Sequence, residues 1–172
     1  MGDIKNLINE AAISKIQQLA MDADIVVFAT NILAIPATTR PMSTQDVDED
    51  GNLWFMSRID SNKNKEIARD NRVQLYYSNI SNSEYLTIYG HAEIILDRDK
   101  IEELWTPIAK AWFTEGKDDP SISLIKVQPV AAYYWDTKEN KVVALLKTAI
   151  SALTGKENDG GVEGSITVKN SI

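Results

Sequence analysis

The apolar residues fall mostly into short β-branched or aromatic runs separated by polar turns, and this punctuation is the strongest constraint on the fold. Ile25–Thr30 is too short and too β-branched for a helix and reads as a strand buried on both faces. Pro36 then breaks the chain before an extended stretch from Thr38 to Ser43, where Pro41 biases Arg40 away from helix. The polar turn Asp48-Glu49-Asp50-Gly51-Asn52 precedes a strand at Leu53–Ser57 and predicts a hairpin between these two segments. Further strands are expected at Val73–Tyr77 and across Tyr85–Leu96, with Gly90 as a bulge or a close backbone approach. Two last strands, Ser123–Val127 and Ala131–Trp135, are separated by Gln128-Pro129.

Helical spacing is confined to the margins of these runs. Ile4, Leu7, Ile8, Ala11, Ala12, Ile16, Leu19 and Ala20 share one helical face, which predicts a helix over 4–21 with Asp3 as its cap. A short helix is expected from Lys63 to Arg69. Another starts at the cap Asp97, is interrupted near Pro107 and ends at Gly116–Pro120. A last helix carries Val142, Leu145, Leu146, Ala149 and Leu153, and Gly155 ends it before a polar tail. Strands grouped this way do not alternate with helices as in a wound β-α-β sheet. The expected fold class is mainly β with peripheral helices (α+β), an antiparallel barrel forming one domain over 1–172. Within it lie an N-terminal helix over 4–21, a barrel over about 24–136, and a C-terminal helix and tail over 140–172.

Composition removes several chemistries. The 172 residues include no cysteine and a single histidine, so thiolate sites, disulfides and a multi-histidine metal site within one subunit are excluded. A serine triad would need His91 as its base, and His91 reads instead as a structural residue of a long strand beside Gly90. The net charge of -7 argues against nucleic acid as a partner, although a local anion site stays compatible. No run of roughly 18 apolar residues occurs, so no membrane association and a cytoplasmic location are expected.

Six segments then occur in a telling order: Thr39-Arg40-Pro41-Met42, Asp50-Gly51-Asn52-Leu53-Trp54-Phe55, Asp60-Ser61-Asn62-Lys63, Trp105 through Trp112-Phe113, Asp118-Asp119-Pro120 and Tyr134-Trp135-Asp136. Together they resemble the pyridoxamine 5'-phosphate oxidase-like flavoproteins, most closely the general stress protein branch, from about Leu7 to Asp136. The resemblance implies an FMN-binding split barrel and a homodimer with two flavin sites at the subunit interface. It implies that Arg40 reaches the flavin or its phosphate tail, that Met42, Met56 and Ser57 line the ring and ribityl chain, and that Tyr85 touches the flavin edge. Trp112 and Trp135 resemble aromatic positions brought to the cofactor by the second subunit.

The residues can also be read without the family. FMN needs an anion clamp, a flat apolar slot and polar groups along one ring edge. Lys63 offers a point charge at a helix start, where free backbone N–H groups favour phosphate, and Ser61 and Asn62 add neutral donors. Lys63 as an ordinary solvated helix charge is the competing reading. For Arg40 it is an ion pair with the acidic run from Asp46 to Asp50. Trp54 and Phe55 are adjacent in a strand and face opposite sides, so at least one is core.

Two departures from the family shape the functional expectation. Asn62 stands where the true oxidases commonly carry a second basic residue, which weakens the anion clamp. Asp136-Thr137-Lys138-Glu139-Asn140 lacks the arginine and histidine with which those oxidases hold pyridoxine phosphate, so vitamin B6 oxidation is not expected. The expectation is a flavin-dependent oxidoreductase using FMN, with NADH or NADPH as a possible donor. The alternatives are FAD in place of FMN, a non-catalytic flavin store or sensor in a stress response, and a structural dimer without flavin or with another flat ligand.

Overall fold

In the computed structural model, residues 3–137 and 161–168 are described. The order of elements is β1 (Asp3–Ile4), β2 (Leu7–Ile8), α1 (Asn9–Asp22), β3 (Ile25–Thr30), β4 (Thr38–Ser43), β5 (Asp46–Val47) and β6 (Leu53–Arg58). Then follow α2 (Asn62–Arg69), β7 (Arg72–Asn79), β8 (Glu84–Ile95), α3 (Arg98–Leu104), two 3-10 turns (Pro107–Ala111 and Gly116–Asp118), β9 (Ile122–Thr137) and β10 (Gly161–Thr167). The strands form one strongly curved sheet in the order β1-β10-β9-β8-β7-β3-β4, with β6 added along β9, β5 along β6 and β2 along β10. Among the described residues β4 pairs only with β3 and β6 only with β5 and β9, so the sheet does not close: this is the split barrel.

β9 organises this topology. Its first half pairs with β6, its second half with β10, and β8 runs along almost all of its other edge. The two strands expected at its ends are therefore one. Gln128-Pro129 bends the strand without breaking it, because Gly90 lies opposite Pro129 and the ladder shifts register between Tyr89 and Gly90. A Cβ at Gly90 would collide with the carbonyl oxygen of Gln128, so the close approach needs glycine.

The N-terminus departs from the expected helix. Residues 3–4 and 7–8 pair in parallel with β10, and the Lys5 amide donates to the Glu163 carbonyl at 2.8 Å. Backbone pairing with a distant strand thus takes the first apolar residues out of the helical register. The helix begins at Asn9; the cap position is Ile8, without a side-chain bond, and Asp3 lies in β1 instead of at the helix start. Asp97 does cap α3, accepting from the Asp99 and Lys100 amides. β10 was hidden in the polar tail, where Gly164 meets the Lys5 carbonyl too closely for any Cβ. The C-terminal helix expected around 140–153 lies outside the described residues.

The main core fills the concave side of the sheet. Ala12, Ile16, Leu19 and Ala20 of α1 pack with Val26, Phe28, Phe55, Leu75, Leu86 and Ile88, and Phe28 meets Phe55 edge-on at 5.2 Å. A smaller core under α3 joins Trp54, Ile101, Leu104, Phe113 and Leu124, so Trp54 and Phe55 are both core, on opposite sides of β6. The expected hairpin from Thr38–Ser43 to Leu53–Ser57 does not form; the turn closes on β5, where Asp46 and Val47 pair with Trp54 and Leu53. β3 is not buried on both faces either: Ile25 and Val27 point outward and are exposed.

Candidate functional site

α2 begins where the chain leaves β6, and a buried polar knot fixes that start. Ser61 is the N-cap and its hydroxyl accepts the Asn64 amide at 3.3 Å. The Asn64 side chain, almost fully buried, donates to Ser123 Oγ at 2.8 Å and accepts from Ser57 at 2.8 Å and Ser61 at 3.2 Å. Ser123 in turn donates to the Ser57 carbonyl at 3.0 Å, tying β6, α2 and β9 together. The amides of Asn62 and Lys63, at the open end of this turn, have no acceptor among the described residues.

On the adjoining side lies a charged group drawn from three segments. Arg40 on β4 is directly opposite Phe28 on β3, so both face the same side of the sheet. Its Nη1 donates to Thr30 Oγ1 at 2.6 Å and, more weakly, to the Phe28 carbonyl, and its Nη2 donates to Glu66 Oε2 at 2.7 Å. Thr30 also donates to Glu66. Arg40 therefore pairs with a carboxylate of α2; the acidic run from Asp46 to Asp50 is engaged elsewhere, with Asp48 accepting from Asn52 and Trp54. Burial works to raise the Glu66 carboxyl, but the bonds from Thr30 and Arg40 and the nearby arginine charges outweigh it and hold it below the usual value.

Lys63 is partly buried, and its ammonium has no hydrogen-bond acceptor or ion-pair partner among the described residues. Burial, with the neighbouring Arg40 charge, pushes its pKa below that of a free lysine. Lys63 thus stands at a helix start with two N–H groups that lack an acceptor among the described residues, the Arg40 charge is close enough to bear on it, and Arg40 keeps Nε and one Nη2 hydrogen without an acceptor among the described residues. Such an arrangement attracts a multiply charged oxyanion.

The expected site residues separate into groups. Asn62 and Lys63 open α2, with Asn62 exposed, and Arg40 is bound to Glu66 further along the same helix, its charge bearing on Lys63, while Ser57 and Ser61 belong to the knot beneath. Met42 is buried in the main core, and Met56 packs against the smaller one. Tyr85 and Trp135 are direct cross-strand partners on the face turned away from the main core, 41% and 40% exposed, and the exposed pair Tyr76 and Val27 lies on the same face two positions along the strands. Trp112, after the first 3-10 turn, is 66% exposed and makes no ring contact among the described residues. Sequence reasoning missed Thr30, Glu66, Asn64 and Ser123. Only Glu66 left a trace, three residues after Lys63 on the same helix face. His91 stacks edge-on against Tyr89 and lines a separate open cleft of about 450 Å³ with Asn71, Glu93, Lys126 and Gln128.

Comparison with known proteins gives a consistent result. The family model described as pyridoxamine 5'-phosphate oxidase like matches residues 11–159. Protein bli-3 of Neurospora crassa is 28% identical over 112 residues, which cover 60% of this chain and 54% of bli-3, so the chain spans about half the length of that relative. A protein from Jannaschia sp. CCS1, provisionally named general stress protein 26, superposes with a TM-score of 0.77 at 24% identity, covering 90% of this chain and 96% of its own. The general stress FMN/FAD binding protein of Xanthomonas citri gives 0.61 at 22% identity, covering 72% and 89%. These two structures share the fold. Among the described residues no helix is long and apolar enough to cross a membrane.

Proposed function

Because the chain belongs to the pyridoxamine 5'-phosphate oxidase-like family, we propose that it is a flavoprotein that holds FMN by its phosphate at the Arg40–Lys63 cluster. The observation that carries this reading is Lys63, a partly buried cation beside a second cation, with no counter-ion among the described residues. A phosphate monoester fits that group: Lys63 supplies the charge, Arg40 its remaining donors, and the amides of Asn62 and Lys63 the backbone bonds. The Ser57–Asn64–Ser123 knot holds these donors in place before the ligand arrives. That a protein of the same fold from Xanthomonas citri is an FMN/FAD binding protein supports the same ligand class here.

The flavin site would be completed by a second copy of this chain. Ile25, Val27, Tyr76, Tyr85 and Trp135 expose a band of apolar and aromatic surface on the convex side of the sheet, of the composition that dimer cores use. When bound, FMN supplies the electron-transfer chemistry. The chain binds and orients the ring, and Arg40 and Lys63 favour negative charge near them. Oxidoreduction with a nicotinamide donor is the function proposed.

The test is direct. Purified protein is titrated with FMN and with riboflavin, and the loaded protein is mixed anaerobically with NADH or NADPH. Preferential binding of FMN and bleaching faster than free FMN support the proposal. Binding without faster bleaching makes the protein a flavin carrier or sensor, and equal affinity for riboflavin removes the phosphate assignment. Light scattering that finds only monomers removes the dimer.

A further inference from the structure

The cluster holds a charge that a simple phosphate clamp does not require. Glu66 is only 15% exposed and is ion-paired to Arg40, the cation whose charge bears on Lys63. Three residues from Lys63 on α2, it is spaced to pair with that lysine, yet its carboxylate is taken by Arg40 and Thr30. Two consequences follow. The Arg40 guanidinium is held between Thr30 and Glu66 in one orientation, and the net charge of the three side chains falls from two positive to one.

We propose that Glu66 is the specificity-determining residue of this site: it positions Arg40 while limiting the positive charge, and so sets how strongly a phosphate-bearing flavin is preferred over the same flavin without phosphate. This rests on the placement of the phosphate at the Arg40–Lys63 cluster. A phosphate monoester carries roughly -1.5 to -2 charges near neutral pH, so a carboxylate within the clamp opposes it directly, whereas an uncharged ribityl end does not feel it. A glutamine at the same position retains a carbonyl oxygen for the Arg40 and Thr30 donors but carries no charge. Glu66→Gln separates the two roles, keeping the anchor and removing the opposition. For charges a few ångströms apart near a solvated surface, the change is worth about tenfold in affinity for the dianion.

The experiment measures dissociation constants of FMN and of riboflavin for the full chain and for Glu66→Gln, at low and at high salt. Glu66→Gln is expected to bind FMN about tenfold more tightly, to bind riboflavin unchanged, and to lose part of the gain at high salt, where the exposed part of the interaction is screened. FMN binding that is unchanged or weaker, or a gain shared equally by riboflavin, overturns the role of Glu66. If Glu66→Gln does not fold, Glu66→Ala serves: it removes anchor and charge together, and a smaller gain with the same salt dependence is expected, while weaker FMN binding overturns the proposal. The underlying placement fails in a distinguishable way, when the unaltered protein binds FMN no better than riboflavin and Lys63→Met changes neither; that outcome overturns both.

Discussion

Lys63→Met should make the protein more stable and its FMN binding weaker, and the opposite signs are the point of the experiment. Lys63 holds its charge in a partly buried place beside Arg40, with no acceptor among the described residues, and its pKa lies below the ordinary 10.5. The folded state therefore disfavours the protonated lysine relative to the unfolded chain. Methionine keeps the apolar stem and removes the ammonium, which should raise ligand-free stability by about 0.5–1 kcal/mol, or roughly 1–4 °C in Tm. FMN loses a charge-assisted bond worth about 1.5–3 kcal/mol, so its affinity should fall roughly tenfold to a hundredfold, with riboflavin unaffected. Thermal melts with and without FMN test both signs. At a concentration about 100-fold above the wild-type Kd, FMN adds about 2.7 kcal/mol to the unaltered protein but much less to the variant, so the order of stability should invert. A variant less stable than wild type without ligand would show that Lys63 serves the fold, and unchanged FMN affinity would show that the phosphate is held elsewhere.

Asn64→Ala removes three side-chain hydrogen bonds from the knot; since Ser57 and Ser123 retain other partners, a loss of about 2–3 kcal/mol is expected by denaturant titration, with weaker FMN binding. Gly90→Ala forces β8 and β9 apart at their bulge and should cost at least about 2 kcal/mol by the same measurement; a neutral result would contradict the close approach to Gln128. Glu66 has a folded-state pKa lowered from 4.5, so the stability it contributes is present above about pH 4.5 and is lost as pH falls through the lower folded value. The stability difference between wild type and Glu66→Gln should accordingly be constant near neutrality and shrink in acid, and a difference that grows on acidification would reverse the sign assigned to this carboxyl.

Short-range features were legible in the sequence because short-range forces set them. A β-branched run marked β3, an apolar and aromatic run marked β7, the Asp97 side chain marked the start of α3, and Gly90 marked the bulge, each through the geometry of a few neighbouring residues. The order of motifs along the chain agreed with the family whose model matches residues 11–159. The errors share one cause. Residues 3–8 carry a helical pattern but are taken up by β10, more than 150 positions away, and Gln128-Pro129 has the composition of a break but lies against a glycine that accommodates it. In both places tertiary pairing outweighs local preference.

The candidate site divides along the same line. Arg40 and Lys63 stand out in the sequence as cations beside a proline and at a helix start. That they are neighbours, that Glu66 neutralises the first and leaves the second without a partner among the described residues, and that Tyr85 faces Trp135 all depend on which strands lie side by side. Sequence by itself determined the strand-rich pattern, the absence of cysteine chemistry and the residue types available to an anion. Only the tertiary structure decided their company, because strand register and helix docking are set by burial of the whole core, a sum over residues far apart in the chain.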